Sequence, residues 1–231
     1  GKNYKKFDGK PIIAHTIEKL KKSGIFDRII VSTDSKKIAS ISKDYGAEVP
    51  FLRPTEFAQD DSDAIDYVKH VLEWCTTNEN SHPEYLVLLC PPTPLRDPAL
   101  VDEAIVKLLN CDKATSLRSA KETKESPYKL FTIKNGFYEG MFPDDPRPEY
   151  YNLPRQVFPP VYDPNGYVDI IKSRIIYETG SLNGSWILSF ITPEGGDIDR
   201  IEDFEFVEFL LNRSKNPIYE YLKANYPKHE L

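Results

Sequence analysis

Two short apolar runs, each followed by a helix start, constrain this chain more than any other feature. Arg28-Ile-Ile-Val-Ser-Thr33 and Tyr85-Leu-Val-Leu-Leu-Cys90 have strand length and little polar alternation, which predicts strands buried on both faces. After the first run, Asp34-Ser35 can cap a helix carrying Ile38, Ile41 and Tyr45, and Gly46 ends it. After the second run comes a proline-rich loop, Pro91 to Arg96, and then Asp97-Pro98, a cap with proline at the first helical turn. Upstream, Pro11 opens a helix with Ile12, Ile13, Thr16, Ile17 and Leu20 on one face, closed by Ser23-Gly24. Ala47 to Phe51 reads as a short strand, Asp60 to Asp63 as caps of a helix reaching about Trp74, and Lys113 to Ser119 as strand-like. Strand–helix alternation at these intervals predicts an α/β domain of parallel strands with crossover helices. Ligands of such sheets bind beyond the carboxyl ends of the strands, so the loops after Thr33, Cys90 and Arg118 are the expected site.

The pattern changes between residues 121 and 165. Tyr128 to Ile133 and Phe137 to Glu139 flank Lys134-Asn135-Gly136, and Asn-Gly between two such runs predicts a β-hairpin. Pro143, Pro146, Pro148, Pro154, Pro159, Pro160 and Pro164 follow. The division expected is therefore a core of residues 1–120 and 166–231, and an excursion of residues 121–165 that forms a lid or an arm on a partner subunit. Gly166 to Ile171 and Trp186 to Ile191 read as strands, and Ser173 to Thr179, Glu202 to Leu211 and Ile218 to Ala224 as helices.

Gly195-Gly196-Asp197-Ile198-Asp199 follows the last strand. In an extended segment Asp197 and Asp199 point to one face, the arrangement a hard divalent cation such as Mg²⁺ takes together with water and phosphate oxygens. A solvated acidic turn has the same spacing. Asp203 would orient a water ligand, or simply carry the negative charge that a helix N-terminus favours. Arg96 would meet a phosphate or a sugar carboxylate, or lie solvated at a helix start. Arg53 would face a base edge or ribose, or pair with an acid. Lys129 and Arg155 would together clamp anionic oxygens, or be two surface charges. Cys90 reads as a small core residue rather than a nucleophile, and Asn165-Gly166 as a tight turn and no more. The four histidines have no metal-ligand spacing, and no Ser-His-Asp or Cys-His arrangement is present.

A net charge of −6 argues against non-specific nucleic-acid binding. The three cysteines make no disulfide framework and suggest a reducing, cytoplasmic setting. No apolar run approaches membrane length.

Several stretches in order resemble the acylneuraminate cytidylyltransferases, also called CMP-sialic acid synthetases. They are Lys2-Asn3, Phe7-Asp8-Gly9-Lys10-Pro11-Ile12, Val31-Ser32-Thr33-Asp34-Ser35, Leu52-Arg53-Pro54, Pro91 to Arg96 (similar to Q-P-T-S-P-L-R), Leu153-Pro154-Arg155-Gln156, Pro164-Asn165-Gly166, and Asp197-Ile198-Asp199 with Asp203. The resemblance implies a Rossmann-like, three-layer α/β/α nucleotidyltransferase fold with a dimerisation hairpin. It implies a reaction in which the anomeric hydroxyl of a nonulosonate sugar acid attacks the α-phosphorus of CTP and pyrophosphate leaves. It implies Mg²⁺ on Asp197 and Asp199, with Lys2 completing the catalytic set. Lys2 and Asn3 would belong to the nucleotide loop, and Arg53, Asp61 and Ser62 would lie near cytosine. Cys90, Arg96, Lys129, Arg155, Asn165 and Asp169 would face the sugar or phosphate, and a second subunit would complete each site.

Departures from the family pattern carry expectations of their own. The family opens with a buried strand and an A-R-x-G-S-K type loop before Lys-Asn, so that stretch is expected upstream of Gly1. Cys90 stands where the sialate enzymes have a glutamine, Asp163 where an arginine is usual, and Asp169 where an aromatic is. An aspartate near a sugar acid repels its carboxylate unless another group compensates, so the expected sugar is a modified nonulosonate. The alternatives are a same-fold enzyme for another sugar, such as an octulosonate, and a catalytically silent binding subunit.

Overall fold

The computed structural model describes residues 2–7, 9–59, 61–193, 198 and 201–213. A two-stranded turn, β1 (Lys6–Phe7) and β2 (Lys10–Pro11), leads directly into α1 (Ile12–Ser23). Residues Ile12 to Lys19 are all buried, so the first two turns of α1 are enclosed on every side. Gly24, at φ 70°, ends the helix in the left-handed conformation that glycine adopts without strain. Next comes α2 (Lys36–Asp44), where the Ser35 hydroxyl accepts the Ile38 N–H at 3.3 Å. Then α3 (Ala64–Glu79) runs past the expected end near Trp74, because Cys75 still packs inward and Asn80 is the residue that turns left-handed. β3 (Tyr85–Leu88) precedes α4 (Pro98–Leu109), which Asp97 caps by accepting the Ala99 N–H at 2.9 Å. β4 (Ser116–Glu122) leads out to the hairpin of β5 (Phe131–Lys134) and β6 (Phe137–Gly140), whose turn residues Asn135 and Gly136 both have positive φ, as a type I′ turn requires. The chain returns as β7 (Tyr162–Lys172), followed by α5 (Ser173–Thr179), β8 (Ile187–Ile191) and α6 (Ile201–Arg213).

The main sheet has the order β3-β7-β4-β8. β4 and β8 are parallel, while β7 is antiparallel to both β3 and β4. This corrects the expectation of an all-parallel sheet. The hairpin excursion leaves from the carboxyl end of β4 and re-enters at that same edge, so the returning strand runs the opposite way. The expected strand at 28–33 is present only as an extended segment. It makes one parallel bridge, Ile30 to Glu48, supported by Val31 N–H to Glu48 O at 2.9 Å and Glu48 N–H to Ile29 O at 2.8 Å. Apolar composition makes a segment extended, but a strand ladder needs successive paired residues.

Helices cover both faces. On one, α4 packs Val101, Ala104 and Leu108 against Leu117, Val168, Ile170 and Phe190. On the other, Val68 and Leu72 of α3 and Ile176 of α5 meet Ile171, with Leu86 and Leu88 beside them. Each such fully buried side chain contributes about 1.5–3 kcal/mol relative to exposure. A further cluster joins α1 and α2 through Ile13, Ala14, Ile17, Ile41 and Tyr45, and another joins Phe7, Ile12, Ile198 and Val207. Among the described residues no helix is long and apolar enough to cross a membrane. The expected helix at 218–224 lies outside the described residues.

Candidate active site

The strand directions put the carboxyl ends of β3, β4 and β8 and the amino half of β7 along one edge. At that edge β7 bulges. Arg118 pairs with Asp169 and Ala120 with Pro164, so Asn165 to Val168 stand opposite Ser119 alone. Side chains close the ladder there: the Ser119 hydroxyl accepts the Val168 N–H at 2.9 Å, and the Asp169 carboxylate accepts the Ser119 N–H at 3.2 Å. Gly166 has φ +57°, and a Cβ placed on it would lie 2.8 Å from the Cys90 sulfur. Only glycine lets the bulge approach the end of β3 this closely. Asn165 is spent on holding the bulge: its Nδ2 donates to Thr192 Oγ1 at 2.8 Å and its Oδ1 accepts the Tyr167 N–H at 3.3 Å.

Arg96 is placed otherwise than expected. It is 1% exposed, and its guanidinium donates to Tyr167 O at 2.5 Å, Cys90 O at 2.8 Å and Gly166 O at 3.1 Å, with Thr16 Oγ1 at 3.4 Å. A buried guanidinium committed to three carbonyls staples the proline loop to the β7 bulge and is not placed to meet a sugar. Lys19 of α1 is also buried and donates to Pro94 O in the same loop. Burial and then the neighbouring Arg96 pull its ammonium down to about 7, with Asp97 opposing. The loop in turn accepts the Ile198 N–H on Pro92 O at 3.0 Å. Ile198, which is fully buried, is thus anchored to the proline loop.

Toward β3, Arg53 donates to Ser32 Oγ at 3.0 Å and Ser32 O at 2.6 Å and lies over the Tyr67 ring at 4.4 Å. Burial pushes the Tyr67 phenol up, and Cys90 and Asp169 add to the shift while Arg53 opposes it, so these four side chains form one electrostatic neighbourhood. Burial likewise pushes the Asp169 carboxyl up, against the opposing Ser119 N–H and the Arg118 cation, whose Nε is 3.5 Å from Oδ2. Tyr67, Arg118 and Thr192 were not among the sequence candidates. Nothing in the interior of an amphipathic helix marks Tyr67, and only strand register brings Arg118 beside Asp169.

The remaining candidates are scattered more widely. Asn3 lies in a 3₁₀ turn (Lys2–Tyr4), and its buried Oδ1 has no hydrogen-bond partner among the described residues, as fits a group that meets a ligand. The Lys2 side chain, Asp197 and Asp199 lie outside the described residues, while Asp203 sits half-buried in the first turn of α6. Among the described residues no cluster of three His, Cys, Asp or Glu could hold a metal ion. Asp61 is exposed, and the Ser62 hydroxyl is engaged in its own turn with the Gln59 N–H and Glu56 O. Lys129 and Arg155 are exposed on the excursion and bound to Leu153 O and Thr123 O. Arg155 lines a cavity of about 230 Å³ with Glu122, Thr123, Ser126 and Gln156.

Comparison with known proteins agrees with this architecture. Residues 1–132 match the family model described as cytidylyltransferase. The N-acylneuraminate cytidylyltransferase of Escherichia coli is 29% identical over 216 residues, 91% of this chain and 49% of that protein. The chain thus spans about half the length of that relative. The pseudaminic acid cytidylyltransferase of Campylobacter jejuni is 26% identical over 211 residues, covering 90% of this chain and 88% of that one. Among solved structures, a CMP:2-keto-3-deoxy-manno-octonic acid synthetase complexed with CTP superposes with a TM-score of 0.65 at 14% identity, over 92% of each chain, and shares the fold. With over half its length matched by the family model, the chain belongs to the cytidylyltransferase family.

Proposed function

We propose that this chain activates a sialic-acid-like nonulosonate with CTP, giving the CMP-sugar and pyrophosphate. The observation that carries the reading is the single edge where the ends of β3, β4 and β8 meet the β7 bulge, with Cys90, Tyr67, Asp169 and Arg118 gathered on it. The relatives named for sialic and pseudaminic acid activation match about nine-tenths of the chain and support the substrate class. In this reading Asn3 and Arg53 lie on the nucleotide side, with Lys2, Asp61 and Ser62 nearby. Cys90 and Asp169 line the sugar side, and Lys129 and Arg155 of the excursion reach anionic oxygens. Arg96 and Asn165 hold the frame of the site.

Asp197 and Asp199 are the residues proposed to hold Mg²⁺; paired carboxylates are a donor set suited to a hard cation. When bound, the ion would neutralise phosphate oxygens as the α-phosphorus is attacked. The chain's own part is positioning: the Pro92–Ile198 hydrogen bond fixes Ile198 relative to the proline loop. A homodimer is part of this reading, and the exposed apolar side chains of the excursion support it: Ile133, Phe137 and Tyr138 are each more than 70% exposed.

The test is pyrophosphate release with Mg²⁺ and CTP across N-acetylneuraminate, legionaminate, pseudaminate and octulosonate, repeated with the other nucleotides. Release with CTP and a nonulosonate is expected. No release with any sugar, or preference for octulosonate, would reject the reading. Asp199→Ala should cut turnover roughly 100-fold or more with little change in melting temperature.

A further inference from the structure

β8 (Ile187–Ile191) is the last strand in the order β3-β7-β4-β8, so one of its edges has no neighbouring strand among the described residues. Which backbone groups lie on that edge follows from the ladder. Trp186 O accepts the Thr115 N–H at 2.8 Å, and the Thr192 N–H donates to Ala120 O at 2.9 Å, so both residues turn their backbone toward β4. The register between β4 and β8 runs unbroken from Ser116–Ile187 to Ala120–Ile191. Alternation then directs the N–H and C=O groups of Ile187, Ser189 and Ile191 to the outer edge.

The side chains make this edge adhesive. Leu188 and Phe190 pack beneath α4, whereas Ile187 and Ile191 are 48% and 49% exposed and Trp186 is 55% exposed. An open edge with apolar side chains is a template for another strand. Among the described residues one side chain occupies it. The Lys107 ammonium of α4 lies 5.6 Å from the Phe190 ring centroid and donates to Ser189 O at 2.8 Å. Ser189 is the middle one of the outward residues. Lys113 lies over the Trp186 ring at 3.6 Å, so a second ammonium stands where the strand begins.

The edge is self-complementary. Two β8 strands related by a two-fold axis at Ser189 would pair Ile187 with Ile191, Ser189 with Ser189 and Ile191 with Ile187, each pair exchanging N–H···O bonds in both directions. Ile187 and Ile191 would then cover one another across the axis. The central pair needs Ser189 O, which Lys107 holds. It would also bring the Lys107 ammonium groups of both copies to the axis, where like charges repel.

We propose that Lys107 guards the outer edge of β8 against a second copy of this chain, and that without its ammonium the β8 strands of two copies join antiparallel about Ser189. The inference is independent of the proposed reaction. It matters to the homodimer proposed through the excursion, because a second two-fold contact at β8 would link dimers into larger assemblies.

The experiment compares the full wild-type chain with Lys107→Gln, Lys107→Arg, and Lys107→Gln combined with Ile191→Lys, by sedimentation velocity and amide hydrogen exchange. In the wild type the Ile187, Ser189 and Ile191 amides should exchange fast while those of Leu188 and Phe190 exchange slowly. Lys107→Gln should at least double the mass of the wild-type species at equal concentration and turn the outer amides slow. Lys107→Arg should keep the wild-type mass, and Ile191→Lys, a new charge on the exposed side of the strand, should return the Gln variant to it. Register is read by adding Ser189→Cys to Lys107→Gln. A hydrogen-bonded pair sets its Cα atoms about 5.5 Å apart, within disulfide reach, so mild oxidation should link two copies. Lys107→Gln with Ser189 retained controls for Cys90, the exposed native cysteine. Slow outer amides in the wild type would show the edge already covered and overturn the inference whatever the variants do. An unchanged mass for Lys107→Gln, or a larger mass with the outer amides still fast or with no link through the introduced cysteine, would overturn it as well.

Discussion

Replacing Arg96 by lysine tests whether the candidate site is held together from beneath. The change keeps a positive charge but exchanges a planar fork for a single ammonium on a flexible stem. In the native loop the guanidinium reaches Tyr167 O, Cys90 O and Gly166 O together. An ammonium at that depth can satisfy at most part of this set. A buried carbonyl left without its donor costs about 1–3 kcal/mol, and breaking the contacts of a buried charge about 3–5 kcal/mol. A destabilisation of about 3 kcal/mol is therefore expected. For a chain of this size that lowers the melting temperature by roughly 6–12 °C. Scanning calorimetry reads this directly, with urea unfolding as an independent measure of the free energy. The sugar KM should rise as well, because Cys90 and Gly166 lose their common anchor, while CTP affinity should hold. A variant melting within 2 °C of wild type would refute the staple, since the three carbonyls would then have another source of donors.

Other consequences can be measured separately. Gly166→Ala forces a left-handed φ on a residue with a Cβ and drives that Cβ into the Cys90 sulfur; a loss of about 2 kcal/mol is expected, of which Cys90→Ala in the double variant should recover the steric part, as followed by urea unfolding. Lys19 is held near 7 in the fold and titrates at about 10.5 when unfolded. Between those values the unfolded chain binds the extra proton, so stability should rise with pH from about 7 to about 10, by as much as roughly 4 kcal/mol. Lys19→Met should flatten that rise, and an unchanged slope between pH 7 and 9 in the variant would assign it to other groups. Ile133→Ser with Phe137→Ser should convert a dimer to monomer in analytical ultracentrifugation while the circular dichroism spectrum keeps the form of the folded chain, because both side chains are more than 70% exposed in the single chain.

Local chemistry was readable wherever one residue decides the conformation. Asp97-Pro98 starts α4, Asn135-Gly136 turns the hairpin, and α5 spans the residues its pattern predicts, Ser173 to Thr179. Features set by distant partners were not. The 166–171 run is apolar whichever way it points, so its antiparallel direction and its extension back to Tyr162 through Pro164 emerge only from pairing. Proline is tolerated there because the ladder is interrupted by the bulge. The strand expected at 28–33 has the composition but only one bridge. At the site, Cys90 and Asp169 came from family motifs and do share a neighbourhood, whereas Arg96 carries the same charge as any ligand-facing arginine. Its burial could not be read from the residues around it, because the three carbonyls it binds belong to Cys90 and to Gly166 and Tyr167, two segments far apart in sequence. The metal pair, the most explicit sequence feature, lies outside the described residues.

The position of β7 between β3 and β4 has a consequence for how the molecule is made. Those two strands do not pair with each other in the sheet; each pairs with β7, and Tyr85 finds its partner only at Lys172. During synthesis β3 and β4 emerge long before the segment that joins them, leaving apolar strand edges without a ladder while the whole excursion is translated. Such non-local pairing slows folding and exposes nascent chains to aggregation. The excursion therefore sets a waiting time for the central sheet. Lengthening it should delay formation of the core, and chaperone dependence during expression should follow the length of residues 121–165 more closely than the stability of the finished fold.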